Sequence, residues 1–385
     1  MMKQTAARVA ALLIAACLMI AGLTACERAV TGTDEETTAV VLEGENYSLE
    51  ELKLYIYASQ YDVEKLSEQM ILYMYGDYEK FWENEENGRS YYELNYSEGA
   101  NRVLQTKRLL KKAAELGITL SAEDEAKVQE TIAAFKAERA AVLEASGATN
   151  ELLDQFIHEN ALAVKTYLAL VEDVDTNFDY EEFTRKKAEG LFVTAASEKE
   201  TESAAESEST EEAESEAVAE TYSEEEQTAV REKVAAEALE RLEAGDTVDD
   251  IVAAYTDDPT VRVVSTGTMT ITPDDKAEEG AEPDDYRALA WNLKTGECGM
   301  IDNTASNGTI TACVIRSVND DDPELRKTAE ETELVQRKMK LFSERYAELA
   351  KQYGHFHVYE STFPKIKKVI PMYESTLQTQ LQSAQ

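Results

Sequence analysis

Histidine is nearly absent from this 385-residue chain: His158, His355 and His357 are the whole supply. No nucleophile motif accompanies them and none has a convincing Ser or Cys partner, so a hydrolase built on a Ser/His or Cys/His relay has no support. His355 and His357 alternate on a predicted strand, but further metal ligands are missing nearby, and both read as structural. Cysteine is almost as scarce. The four cysteines form no CxxC pair and join no His/Cys cluster, so neither a metal nor any other cofactor is expected. Positive charge is short too, with 38 Lys and Arg against 77 Asp and Glu, a formal net charge of -39. Such a surface repels nucleic acid and anionic lipid headgroups and favours basic or unfolded polypeptides. Beyond the first 25 residues no apolar run is long enough to span a bilayer. Repeated strand-helix units are also missing from the helical first half, which weakens a solute-binding reading.

What is present begins with the N-terminus. Residues 1–8 are short and basic, residues 9–22 are apolar, and Leu23-Thr24-Ala25-Cys26 follows directly. That order predicts a secretory signal over residues 1–25 ending in a lipobox, although an ordinary cleaved signal and a retained membrane helix stay open. Resemblance to bacterial lipoproteins implies a diacylglyceryl thioether on the Cys26 sulfur, holding the mature body at the extracytoplasmic face of a bacterial cell membrane. With Cys17 removed and Cys26 lipidated, Cys298 and Cys313 are left either to pair outside the cell or to stay as buried thiols.

The mature chain reads as α+β. Residues 26–38 are a polar tether, and residues 39–188 are mostly helical behind a short strand at 39–42 and a turn at 44–47. Ser48 and Glu51 form a capping-box pattern, as do Ser121 and Asp124; Gly117 stops the helix over 100–115. Helices are expected over 122–146 and 150–171. Between Tyr61 and Tyr96 aromatic and methionine residues gather among acidic ones. Tyr73, Tyr78, Phe81 and Trp82 either pack a core or line an adaptable surface for a polypeptide client. Residues 197–227 contain thirteen Glu against one Lys and read as a disordered acidic loop. Helices at 224–244, 248–255 and 284–293 then mix with strands at 261–271, 300–303 and 309–318, the last two joined through a turn at Asn307-Gly308. A long helix over 324–353 precedes a strand at 355–359 that can return to pair near Val40, and residues 363–385 form a loose tail.

Four pieces in order carry a family resemblance. They are Gly190-Leu-Phe-Val193, the run from Leu242 to Asp258, the run from Tyr286 to Glu297 with its Leu-Lys-Thr-Gly-Glu turn, and Asn307 to Arg316. Together they resemble a parvulin-type prolyl isomerase domain over residues 189–320. With the lipobox and helical flanks, the mature chain is similar to the PrsA- and SurA-like secretion foldases. The resemblance implies a chaperone domain built from residues 39–188 and the helix and strand of 321–362, with the isomerase domain, an antiparallel sheet with helices, inserted between them.

It also implies a proline pocket. Asp258 stands at the family's Cys or Asp position, and Tyr286 at the aromatic that contacts proline. The family's two histidines fall on Gly190 and on Cys313, with Ala312 if the register slips by one; Glu282 takes the place of an apolar pocket residue. Asp258 reads equally as a turn cap, and Tyr286 equally as core. Two functions remain in play: an extracytoplasmic folding factor that binds unfolded exported polypeptides and catalyses peptidyl-prolyl isomerisation, or a holdase with a decayed parvulin domain. The oligomeric state is open, a homodimer included.

Overall fold

A computed structural model describes residues 37–197, 221–278, 280–304 and 309–373. The chain is α+β and divides into two compact units. One takes the described residues up to Asp175 together with those from Gln336, and the other takes Thr176–Val335. The second unit therefore begins before residue 189 and ends after 320. Its extra N-terminal residues are tied in by pairs such as Tyr180 Oη donating to Asp321.

In the first unit, β1 (Thr38–Leu42) runs between β2 (Glu45–Ser48) and β9 (Phe356–Val358). Ala39, Val40, Val41 and Leu42 are all fully buried, the pattern of a strand covered on both faces. Glu43 and Gly44 adopt φ of +50° and +81°, which suits a two-residue hairpin, so the expected turn at 44–47 is a tight turn followed by a strand. Val40 pairs with Val358, so the late strand does return to the first.

Helix α1 (Leu49–Leu66) starts at Ser48, whose Oγ accepts from Glu51 N. Only half of the expected capping box forms, because the Glu51 carboxylate turns to Lys107 at 2.7 Å. Two short helices follow, α2 (Glu68–Tyr75) and α3 (Tyr78–Glu83), then the small β3 (Glu85–Glu86) and β4 (Arg89–Ser90). Helix α4 (Tyr91–Leu116) begins well before residue 100, because Ser90 and Glu93 form a reciprocal capping box; it ends at left-handed Gly117 as predicted. Gly99 lets α4 approach α1: a Cβ there would stand 2.5 Å from Ile56 Cγ1. The expected helix over 122–146 is two, α5 (Ala122–Glu138) and α6 (Ala140–Ser146), separated at Arg139. There the guanidinium pairs with Asp62 at 2.7 Å and lies 4.8 Å from the Tyr61 ring centre. Helix α7 (Asn150–Leu170) completes the helical layer. Leu52, Ile56, Tyr57, Trp82, Tyr92, Val103 and Leu153 lie in one core.

The described part of the expected tail departs from expectation, and residues 374–385 lie outside the described residues. Ile366 and Met372 are 4% and 2% exposed and join that core, so residues 363–373 are packed rather than loose.

The second unit holds α8 (Tyr180–Phe183), β5 (Lys186–Ala195), α9 (Glu224–Glu243), α10 (Val248–Ala254), β6 (Val261–Ile271), α11 (Tyr286–Asn292), β7 (Cys298–Thr304) and β8 (Ile310–Asn319). Its antiparallel sheet has the order β6-β5-β8-β7. On one face Leu191, Val193, Val261, Ala312 and Val314 pack against Val234, Ala238 and Leu242 of α9 and Ile251 of α10. On the other, Ala188, Ile271 and Ile315 meet Ala290 of α11. Along β5 and β8 this alternation is the period of two expected of strands covered on both faces, while a register shift in β6 opposite Gly190 and Leu191 puts Val261 and Ile271 on different faces. Helix α12 (Pro323–Gln352) contains the boundary between the two units' residues and matches the predicted long helix. The Asn307-Gly308 turn, Cys26 and most of the acidic segment lie outside the described residues, and 224–227 of that segment belong to α9.

Candidate functional site

The pocket positions named from the sequence separate into those the sheet brings together and those it does not. Phe192 of β5 pairs directly with Cys313 of β8, so their side chains share a face, and the Tyr286 ring meets Phe192 edge-on with centroids 5.3 Å apart. Tyr286 is held by its own helix start, where Asp285 caps the backbone N–H of Arg287 and Ala288. Arg287 in turn makes a two-point contact with Asp275. Of the two residues left open for the second histidine position, Cys313 is the one that shares the Phe192 face. Ala312 belongs to the opposite face with Val193 and Val314.

Gly190 also lies on the Phe192 face, but nothing larger fits there. A Cβ would stand 2.1 Å from Val314 O and 2.7 Å from Ile315 Cδ1. The position at which the resemblance expects a histidine is therefore sterically closed, because β8 lies close against β5 there. Asp258 behaves as the turn cap: its Oδ1 accepts from Thr260 Oγ1 at 2.6 Å and Thr260 N at 2.8 Å. Those bonds hold its carboxyl below the usual range, so it is an ionised group spent within its own turn. Glu282 is exposed.

Cys313 is fully buried, and burial, with Asp302 and Asp285 adding repulsion, pushes its thiol up to about 12. It stays protonated and is no nucleophile. Cys298 is a free thiol as well. It packs toward the α9 face while Cys313 points to the other, which rules out the disulfide that the sequence left open. Phe192, Tyr286 and Cys313 thus form an apolar wall without a base or a nucleophile. It can pack a ring or an aliphatic chain. Phe192 was missed by sequence reasoning, although it sits two residues from Gly190 and so must share its face.

The aromatic segment of the first unit divides as well. Tyr78 and Trp82 are 1% and 3% exposed and belong to the core, Phe81 is half-buried, and only Tyr73 is open, at 92%. Phe81 touches Tyr75, Trp82 and Tyr91 at centroid distances of 5.3, 5.0 and 5.1 Å, so these rings hold α2, α3 and α4 together. The open surface is instead made by Met70, Tyr73 and Met74 on one face of α2, with Leu66 at the end of α1. The opposite residues of α2, Ile71 and Leu72, are buried. The i, i+3, i+4 spacing of Met70, Tyr73 and Met74 was visible in the sequence, but so was that of residues that turn inward.

Among the described residues no helix is long and apolar enough to cross a membrane, and no group of three or more His, Cys, Asp or Glu side chains could hold a metal ion. No protein-family model matches the chain, and no curated protein matches it. Among solved structures it is similar to the foldase protein PrsA of Lactococcus lactis, at 11% identity over 86% of this chain and 97% of that one, with a TM-score of 0.26. It is similar also to the foldase protein PrsA of Streptococcus pneumoniae, at 11% identity over 77% of this chain and 97% of that one, with a TM-score of 0.21. Overlaps this loose carry no argument about shared fold or activity.

Proposed function

We propose that the chain is an extracytoplasmic folding factor, anchored by a lipid on Cys26, that binds unfolded exported polypeptides through the α2 face of Met70, Tyr73 and Met74. One observation carries this reading: these side chains, 51%, 92% and 64% exposed, form an apolar surface on a helix whose other face is buried in the core. Contiguous exposed apolar surface marks an interaction site, and flexible methionines beside an aromatic adapt to many sequences. The net charge of -39 keeps the loaded protein soluble and favours basic clients.

A second reading, prolyl isomerisation, is favoured by the Phe192–Tyr286 wall, which offers apolar surface to a proline ring. That rotation transfers no proton but must cross roughly 18–20 kcal/mol, and the pocket positions add little to the wall, since Gly190 is closed by β8 and Asp258 is spent within its own turn. Binding without catalysis is therefore the main reading.

Two assays on the mature chain separate the possibilities. Suppression of aggregation of a denatured client should be lost when Met70→Ser, Tyr73→Ser and Met74→Ser are combined, with no change in thermal midpoint. Retained suppression would sink the reading. A concentration-dependent dimer that vanishes in the same variant, with suppression intact, would assign the face to a second copy instead. Refolding limited by a trans-to-cis proline step, which takes tens of seconds, should be unaffected. Acceleration that disappears with Tyr286→Ala would establish the second reading.

A further inference from the structure

The most basic stretch near the C-terminus lies on one face of α1 in a way that resembles captured peptide more than helix or sheet packing. Residues 366–373, Ile-Lys-Lys-Val-Ile-Pro-Met-Tyr, form neither helix nor strand. Side chains of α1 hold them by the backbone. Tyr57 Oη donates to Lys367 O at 2.7 Å and Gln60 Nε2 to Val369 O at 2.8 Å, while Met372 N and Tyr373 N donate to Glu64 Oε2 at 2.6 and 2.7 Å. The other Glu64 oxygen accepts from Gln60 and Trp82, which orients the carboxylate. Tyr57, Gln60, Tyr61 and Glu64 recur at i, i+3, i+4 and i+7, so they make a single stripe. The Tyr61 and Tyr373 rings meet edge-on at 5.5 Å.

We infer that this stripe of α1 is a groove for an extended polypeptide of apolar and basic residues, which the chain's own segment 366–373 fills in cis. The inference rests on the reading above for the class of partner, and it adds a second, occupied surface to the open one on α2. The four hydrogen bonds from α1 all go to backbone groups, which gives recognition that tolerates many sequences. The occupant shows the preferred chemistry. Ile366 and Met372 are the buried anchors, whereas Lys367 and Lys368 are exposed, and Lys368 Nζ stands 5.1 Å from the Tyr92 ring centre and 3.9 Å from Glu83. A cleft of about 280 Å³ lined by Tyr61, Ala137, Ala140, Ala141, Met372 and Tyr373, with Glu138, leaves room beside the last anchor. A tethered segment competes at an effective concentration on the order of millimolar, so an outside peptide enters only when the strap is weakened or the peptide binds more tightly than it does.

The test uses the full mature chain and a fluorescein-labelled synthetic peptide copying residues 365–373, followed by anisotropy. Lys368→Glu loosens the strap from an exposed position, and Met372→Ala removes an anchor. Each should tighten peptide binding at least tenfold over the unaltered chain. Adding Tyr57→Phe to Lys368→Glu should reverse the gain, since the groove loses a backbone donor. Equal affinity in the unaltered and Lys368→Glu chains would overturn the inference, as would binding that Tyr57→Phe leaves untouched. If the peptide is lost with the combined Met70, Tyr73 and Met74 substitutions instead, the groove is ruled out while the α2 client surface stands. Groove binding alongside failed client protection would have the opposite meaning.

Discussion

The indole N–H of Trp82 donates to the Glu64 carboxylate at 2.8 Å inside the core of the first unit. Burial holds the Glu64 carboxyl above the usual carboxylate range, and the bonds from Tyr373, Gln60, Trp82 and Met372 offset only part of that rise. The pair joins α1 to α3 and, through the remaining donors, to residues 372 and 373. Trp82, expected from the sequence as a possible client contact, is thereby committed to structure. Trp82→Phe keeps most of the ring's packing and removes one bond to a charged group, so a loss of roughly 1.5–3 kcal/mol is expected in urea unfolding. A change below about 0.5 kcal/mol would mean the carboxylate finds another donor.

Lys107 is 3% exposed and stands between Glu51 at 2.7 Å and Glu159 at 2.5 Å, with its ammonium 4.6 Å from the Tyr47 ring centre. Removing the cation leaves two carboxylates facing each other out of water. Lys107→Met should cost roughly 3–5 kcal/mol. Adding Glu51→Gln to that variant should recover part of the loss, and strict additivity of the two changes would argue against the network.

Gly190→Ala tests the closed position on β5. A Cβ against Val314 O forces β5 and β8 apart, so destabilisation of about 1–3 kcal/mol or more is expected by thermal unfolding. Placing histidine there should cost more and should not create isomerase activity; a stable Gly190→His chain that accelerates proline-limited refolding would show that the strand yields.

The two thiols should differ in reactivity. Alkylation without reductant, followed by mass measurement, should find both Cys298 and Cys313 free, with Cys298 modified first in the folded chain because it is only half-buried. Cys313 should react only on unfolding. Recovery of a Cys298–Cys313 disulfide from the native protein would contradict their placement on opposite faces.

His158 supplies a pH dependence. Its Nδ1 lies 2.8 Å from Asp154 O and its Nε2 lies 2.9 Å from Glu125, and these contacts raise its pKa, the backbone carbonyl most. The folded chain therefore keeps the proton to higher pH than the unfolded chain. The contribution is complete below about pH 6.5 and fades as pH rises through the folded value. The site is partly open to solvent, so the effect should stay under about 1 kcal/mol. In stability curves between pH 5 and 8, His158→Gln should flatten the slope, and an unchanged slope would assign it to other groups.

Much of the helical layer was legible in the sequence. Ser121 with Asp124, Gly117 and the run of 150–171 all announced their helix ends, because capping is settled between residues two to four apart. The break at Arg139 was not legible, since its partners Asp62 and Tyr61 lie on another helix. The candidate pocket was half legible: Tyr286 and Cys313 do share a wall, but the closure at Gly190 depends on how near β8 comes, which no residue pattern reports.

The sequence by itself determined the α+β class and most element positions through short-range periodicity, and it offered a late strand able to pair near Val40, a pairing that the fold completes with Val358. Only the tertiary structure decided which aromatics face water, that Cys298 and Cys313 point to opposite faces, and that residues 363–373 are packed. The reason is chain distance. Glu64 and Met372 are 308 residues apart, and their bond exists only after the helices of the first unit have enclosed a core that residues 366–373 complete.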